Sequence, residues 1–305
     1  SAVSNDIANI KKFLDHCSVE VTPGGSKKIE DFRTLLRPGT TVFVTFLPGS
    51  DFNDTVATVK RLAAEGMKPV PHFAARSIPS LKFFEENLKI LQGEAKVEEA
   101  LLIGGGVTNP VGDFSDSMQV LRTDLFQKYG IKKLGVAGHP EGSPDIKPEE
   151  VTKALLAKNA YAKEHGIDMY ITTQFIFEAE PVIEWDKRIR AEGNTLPIHI
   201  GIPGLATLKT LINHATACGV GPSMRVLTRQ TGSIAKLLLS NGAKQPNKLV
   251  RDLANYQAND PACGINQVHL YPLGGMTKSA KWLYAVLDGN YKLDDEEGFE
   301  LTVEI

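Results

Sequence analysis

Polar side chains able to carry protons or grip a flat ligand stand at the ends of short apolar runs in this chain of 305 residues. They are Glu20 in SVEVTP, Thr45 in VFVTF, His72 in PHFAA, His139 and Glu141 in GHPEG, Gln174 in ITTQF, His199 in PIHIG, and His269 with Tyr271 in VHLYP. Gly104, Gly105 and Gly106 close another such run, LLIGGG. The set is rich in neutral or switchable hydrogen-bonding groups and poor in fixed charge, which suits a large heteroaromatic ligand. Metal sites bring His and carboxylates together at ligand spacing, and no His-x-His occurs here, so no metal is expected.

Each residue has two readings. Glu20, an acid between apolar residues, is either a desolvated general acid or a carboxylate paired with a nearby Lys or Arg. His72, His199 and His269 are either site residues or core histidines satisfied by backbone carbonyls. Gln174 either caps the sheet or offers a paired donor and acceptor to a ring edge. Asn159 and Lys163, four apart in KNAYAK, are solvated surface or a phosphate clamp. A dinucleotide-binding reading of the glycine triplet needs G-x-G-x-x-G after a first strand, and a P-loop needs a following Gly-Lys-Ser/Thr. Neither pattern is present, which leaves main chain that lets a planar ligand come close.

The elements that must position these groups are strands of a parallel sheet. Runs at 17–22, 41–46, 68–74, 99–105, 133–138, 169–175, 196–202 and 267–273 are short, β-branched and mostly continuous, as in strands covered on both faces. Between them DTVATVKRLAAEG, SIPSLKFFEENLKILQGE, FSDSMQVLRTDLFQKYG, KPEEVTKALLAKNAYAKEHG and PVIEWDKRIRAEG carry helical periodicity, several ending in a capping Gly. Eight β-then-α units without a break in composition predict an α/β fold, a (β/α)8 TIM barrel. It is read as one domain over 1–305, with a helical insertion at 203–266 before the last strand. A doubly wound open sheet is the alternative. DDEEGFELTVEI reads as a solvated turn and an edge strand.

With 34 Lys and Arg against 36 Asp and Glu, no basic field draws the chain to nucleic acid or anionic lipid. No apolar run reaches the roughly 20 residues of a spanning helix, and the start reads as an amphipathic helix rather than a signal peptide. A cytoplasmic location without membrane or nucleic-acid partner is therefore expected, a homo-oligomer being compatible with it. Cys17, Cys218 and Cys263 read as buried free thiols of a reducing compartment.

Taken in order, the motifs resemble the methylenetetrahydrofolate reductase family, the bacterial single-domain type. SVEVTPG, VFVTF and PHFAA resemble its first three strand motifs, and LLIGGG stands where the family has a Leu-Arg-Gly-Asp turn. LGVAGHPEGSP is similar to its Gly-Val-Ala-Gly-Tyr-Pro-Glu stretch, YITTQFIFE to its Ile-Thr-Gln-Phe segment, PIHIGIPGLATLK to its Pro-Ile-x-x-Gly-Ile segment, and CGINQVHLYPLG to its last strand. The likeness spans roughly 15–285.

The resemblance implies a (β/α)8 barrel that reduces 5,10-methylenetetrahydrofolate to 5-methyltetrahydrofolate, passing hydride from NADH or NADPH through FAD, a step of one-carbon metabolism that feeds methionine biosynthesis. It implies Glu20 as the general acid that assists opening of the folate ring to an iminium. Gln174 is implied to bind the pterin, with Phe175, Leu208 and Tyr271 at the substrate. Thr45, His72, Ile103, Gly104, Gly105, Gly106, Ala137, His139, Asn159 and Lys163 match cofactor-binding positions. Departures stand beside the matches: Gly104 and Gly106 replace an Arg and an Asp, His139 a Tyr, Ser143 a His, Leu208 a stacking aromatic, and Gly275 an Arg that meets the folate tail. Losing the anion beside the flavin shifts its potential and weakens pterin anchoring. Lys278 or Arg229 is left to receive the glutamate tail. Two alternatives on the same barrel are hydride transfer directly from nicotinamide to folate and a tetrahydrofolate-binding methyltransferase. A hydrolase or lyase using His72 and Glu20 as an acid/base pair is a third.

Overall fold

A computed structural model describes residues 2–142, 146–217 and 243–305. Eight parallel strands form a closed barrel: β1 (Ser18–Val21), β2 (Thr41–Val44), β3 (Lys68–Ala74), β4 (Glu99–Ile103), β5 (Lys133–Gly138), β6 (Asp168–Phe175), β7 (Ile198–Pro203) and β8 (Ile265–Tyr271). Their order, β1-β8-β7-β6-β5-β4-β3-β2, is the sequential winding of a TIM barrel. Every strand anticipated from sequence is present, and the bounds of β3 and β5 coincide with the apolar runs KPVPHFA and KLGVAG.

Helices α1 (Ala2–Leu14), α2 (Phe52–Ala64), α3 (Leu81–Ala95), α4 (Pro148–His165), α5 (Ala179–Glu192), α6 (Leu208–Ala217), α7 (Asn247–Asn259) and α8 (Met276–Leu287) fill the intervals. Asp51 and Ser80 cap α2 and α3 by accepting from the backbone N–H of Asn53 and Phe83. FSDSMQVLRTDLFQKYG is not one helix. It folds as two short helices, Ser117–Leu121 and Leu125–Lys128, because Asp124 adopts φ 58° between them and its carboxylate takes the Tyr161 hydroxyl at 2.6 Å. Within the insertion the described elements are α6, the two-residue bridge pair 206–207 with 243–244, and α7. The acidic tail turns between two strands, Tyr291–Asp294 and Gly298–Leu301, that pair as an antiparallel hairpin.

Contacts gather the chain into two compact units. One comprises Ser18–Ala137 and Ala154–Thr172; the other comprises Ser1–Cys17, Gly138–Lys153 and Thr173–Ile305. In the first unit Glu20 pairs with Phe43, Phe43 with Val70, His72 with Leu101, and Leu101 with Gly135. Partners across parallel strands share a face, so these residues look the same way. Their face carries the buried cluster of Phe43, Val70, Leu101 and Tyr170. Below it Tyr170 donates its hydroxyl to Glu99 at 2.6 Å. Burial holds the Glu99 carboxyl above its ordinary range. In the second unit β7 and β8 pair in parallel from Ile198 and Ile265 onward, and α1 packs on α7.

Candidate active site

Alternation decides which strand residues reach the inner face of the first unit. Glu20 pairs with Phe43, Thr45 lies two residues beyond Phe43, and His72 pairs with Leu101. Ile103 and Ala137 follow Leu101 and Gly135 by two, so Glu20, Thr45, His72, Ile103 and Ala137 share one face of five adjoining strands. Glu20 is half-buried, whereas Thr45 and His72 are 9% and 8% exposed. The His72 ring stands edge-on to Phe43 at 5.8 Å, which fixes its plane.

Thr45 Oγ1 is buried and finds no hydrogen-bond partner among the described residues. A buried hydroxyl without a partner costs roughly 1–3 kcal/mol, a deficit a bound polar ligand would remove. Beyond β4, a Cβ built on Gly104 or Gly106 would meet nothing within 4 Å, so main chain there borders open space. Both features fit a large ligand lying against backbone.

The helix pair named from sequence divides. Lys163 is exposed, and Asn159 donates its amide to Leu155 O at 3.0 Å, inside its own helix. Sequence reasoning missed their neighbour Lys158, which is 9% exposed on the stripe that buries Leu155, Tyr161 and Ala162. No ion pair to it is formed among the described residues, and burial pulls its ammonium below the ordinary range despite the nearby Asp116. A signal existed, since Lys158 lies three residues after Leu155 and three before Tyr161, on the helix's apolar stripe.

The second unit presents an aromatic group at the carboxyl ends of β6 and β8. Gln174 is exposed and its Oε1 accepts from Phe175 N at 3.3 Å. Phe175 is fully buried, 5.4 Å from the Tyr271 ring, and Tyr271 donates its hydroxyl to Thr173 O at 2.6 Å. His269 is buried against Tyr271, and His199 is buried within β7. His139 is half-buried, its carbonyl accepting from Gly142 N in the turn after β5. Leu208 is fully buried at the start of α6, and Lys278 is exposed on α8. Ser143, Cys218 and Arg229 lie outside the described residues.

A cavity of about 240 Å³ opens beside the first unit's strand ends, lined mainly by Phe46, Phe52, Phe73, Phe83, Ile78 and Val111. It holds none of Glu20, Thr45, His72 or the glycines, so it is the seam between α2 and α3 and not the polar site. Among the described residues no cluster of three His, Cys, Asp or Glu could hold a metal ion, and no helix is long and apolar enough to cross a membrane.

The class defined so far is a TIM-barrel protein with polar groups and open main chain at the carboxyl ends of its strands. Comparison with known proteins narrows it. The family model for methylenetetrahydrofolate reductase matches residues 107–274, more than half of the chain. The chain belongs to the methylenetetrahydrofolate reductase family. It is 35% identical over 107 residues to methylenetetrahydrofolate reductase 1 of Schizosaccharomyces pombe (strain 972), a match covering 35% of this chain and 16% of that protein. The chain thus matches a small part of the length of that curated relative. Among solved structures, that of oxaloacetate acetylhydrolase is similar at 12% identity and TM-score 0.48, covering 94% of this chain and 84% of that one. CbXyn10B in native form follows at 11% identity and TM-score 0.44, covering 87% and 86%.

Proposed function

We propose that this protein is a folate oxidoreductase that interconverts 5,10-methylenetetrahydrofolate and 5-methyltetrahydrofolate, using a reduced nicotinamide and FAD, within a single barrel domain. The observation that carries the reading is the inner face of the first unit. Five residues that the family resemblance marks, Glu20, Thr45, His72, Ile103 and Ala137, alternate onto it, and the first four of them lie before residues 107–274, the part of the chain on which family membership rests.

The residues present fit a flavin. Thr45 offers a hydroxyl in need of a partner, and Gly104 and Gly106 leave open space along main chain. Lys158 holds a buried cation suited to a phosphate, a role that its burial favours over the exposed Lys163. When bound, FAD relays hydride between nicotinamide and folate. Glu20 gives a proton to the departing ring nitrogen of methylenetetrahydrofolate, opening the five-membered ring to the electrophilic iminium. In the reverse direction the same carboxylate takes that proton back. Gln174, exposed at the end of β6, pairs with the pterin edge through its amide, and Phe175 and Tyr271 back it with an apolar wall.

A purified protein that is yellow, bleaches anaerobically on adding NADH or NADPH, and recovers colour with methylenetetrahydrofolate is the expected result. Glu20→Gln should abolish the folate half-reaction and leave the nicotinamide-to-flavin half within a few-fold. Equal loss in both halves overturns the role of Glu20. Gly106 and His139, standing where the family has Asp and Tyr, favour one second reading, direct hydride transfer from nicotinamide to folate. A colourless protein that still oxidises NADH with methylenetetrahydrofolate would establish it.

A further inference from the structure

The loop after β4 has a packed side and an open side, and one arginine from the neighbouring loop makes the packed side. Gly105 adopts φ +97°, and a Cβ there would lie 3.3 Å from Ala74 Cβ and 3.6 Å from Arg76 Cβ. A Cβ on its neighbours Gly104 or Gly106 would instead meet nothing within 4 Å. Arg76 N donates to Gly104 O at 3.0 Å, and Arg76 O accepts from Val111 N at 2.9 Å. The guanidinium does the rest: Nε donates to Val107 O at 2.7 Å, Nη1 to Ser115 O at 3.0 Å, and Nη2 to Thr108 O. Gly112 rests so close to the chain after Arg76 that a Cβ would come within 2.3 Å of Ile78 O. One side chain therefore ties both shoulders of the 107–115 loop to the turn after β3.

Such a tie has a physical purpose. Three successive glycines lose more backbone freedom on ordering than other residues, roughly 0.5–1 kcal/mol each relative to Ala. A loop left loose would charge that ordering to ligand binding; a loop held in place beforehand does not. Arginine suits the task because its rigid fork spreads donors over three nitrogens that reach carbonyls on both shoulders of the loop, whereas the donors of a lysine all radiate from one atom.

We propose that Arg76 is a positioning residue that holds the β4 loop in the conformation where Gly104 and Gly106 present bare main chain to the bound ligand. This chain thereby replaces side-chain recognition at that rim with backbone fixed from outside. The inference deepens the reading of the site as a flavin and folate pocket and rests on it.

The test uses Arg76→Lys and Arg76→Ala in the full chain, with FAD and 5-methyltetrahydrofolate as separate probes. Amide exchange over 104–115 should quicken at least tenfold in both variants while the rest of the first unit keeps its protection. The dissociation constant for at least one probe should rise about tenfold, equivalent to about 1.4 kcal/mol of ordering moved into the binding step. Saturating that probe should return protection to 104–115. A merely structural role would loosen the whole unit and would not be reversed by ligand. Unchanged exchange over 104–115, or faster exchange with both affinities within twofold of wild type, overturns the proposal. A wild-type protein that binds neither probe overturns the flavin and folate reading first, and with it the ligand half of this one. That failure is separable, because it appears before any substitution is made.

Discussion

Replacing Lys158 by Met sets stability against binding. The lysine stem lies among Leu155, Tyr161 and Ala162, all less than 9% exposed, so a Met of similar length keeps the packing and removes only the charge. With no ion pair to Lys158 among the described residues, the apoprotein carries the desolvation cost of a buried ammonium. Removing it should stabilise the apoprotein by about 1–2 kcal/mol, at the low end of what replacing buried charge by apolar volume yields, or about 2–3 °C in Tm for a chain of this length. The pH dependence has a definite sign. Burial lowers the lysine pKa in the folded state, so the unfolded chain holds its proton to higher pH, and wild-type stability recovers as pH rises. The advantage of Lys158→Met is therefore full at low pH and fades as the pH climbs toward about 10.4, the unfolded lysine value. On the proposed reading of the site, FAD affinity should move the opposite way. Losing a charge-assisted bond worth about 1.5–3 kcal/mol should weaken it about 10- to 100-fold. Lys163→Ala, an exposed neighbour, should stay within about twofold. Differential scanning calorimetry across pH and flavin fluorescence titration measure the two effects. A destabilised Lys158→Met that binds FAD like wild type would refute the reasoning, since the ammonium would then be serving a structural partner.

Two further outcomes follow from packing and burial. At Gly201 a Cβ would stand 2.7 Å from Gln174 O and from Tyr271 Cε2 and 2.8 Å from Thr173 O, mostly backbone that cannot yield. Gly201→Ala should thus cost about 1–3 kcal/mol in urea unfolding, and a cost under half of that would show that β6 and β7 have room to separate. Burial pushes the Cys17 and Cys263 thiols up to about 12, so both stay protonated and inert at pH 8. Iodoacetamide should label neither in the folded protein and both in urea, as read by peptide mass; prompt labelling of Cys17 in the fold would contradict its burial.

Much of the architecture was legible because barrel strands announce themselves. KPVPHFA and KLGVAG run almost without a break of apolar residues after their opening lysines, as strands covered on both faces do, and Gly66, Gly130, Gly166 and Gly193 end the preceding helices with positive φ. The chain between β4 and β5 deceived for a local reason. SDSMQVLRTDLFQKYG has the apolar spacing of one helix, and the break is made by Asp124 in a left-handed conformation held by the hydroxyl of Tyr161, a residue distant in sequence. Propensity cannot see that partner.

The polar site was legible for a related reason, and its limits are those of one-dimensional periodicity. Along a strand, alternation alone places Thr45 with Phe43, or Ile103 with Leu101, so residues quoted from separate motifs meet once the register is known. Helices and loops offer no such shortcut. Lys158 and Lys163 are five apart, so the helical rotation that buries the first leaves the second in solvent, and a spacing rule that pairs Asn159 with Lys163 passes over the buried cation beside them. Arg76 was invisible in a stronger sense. Its partners are carbonyls, which carry no residue identity, so nothing in RSIPS or GGGVTNP marks the bond. The chemistry read from side chains thus leaves out contacts made by main chain, and around Gly104, Gly105 and Gly106 the bonds that hold the loop run from Arg76 to carbonyls alone.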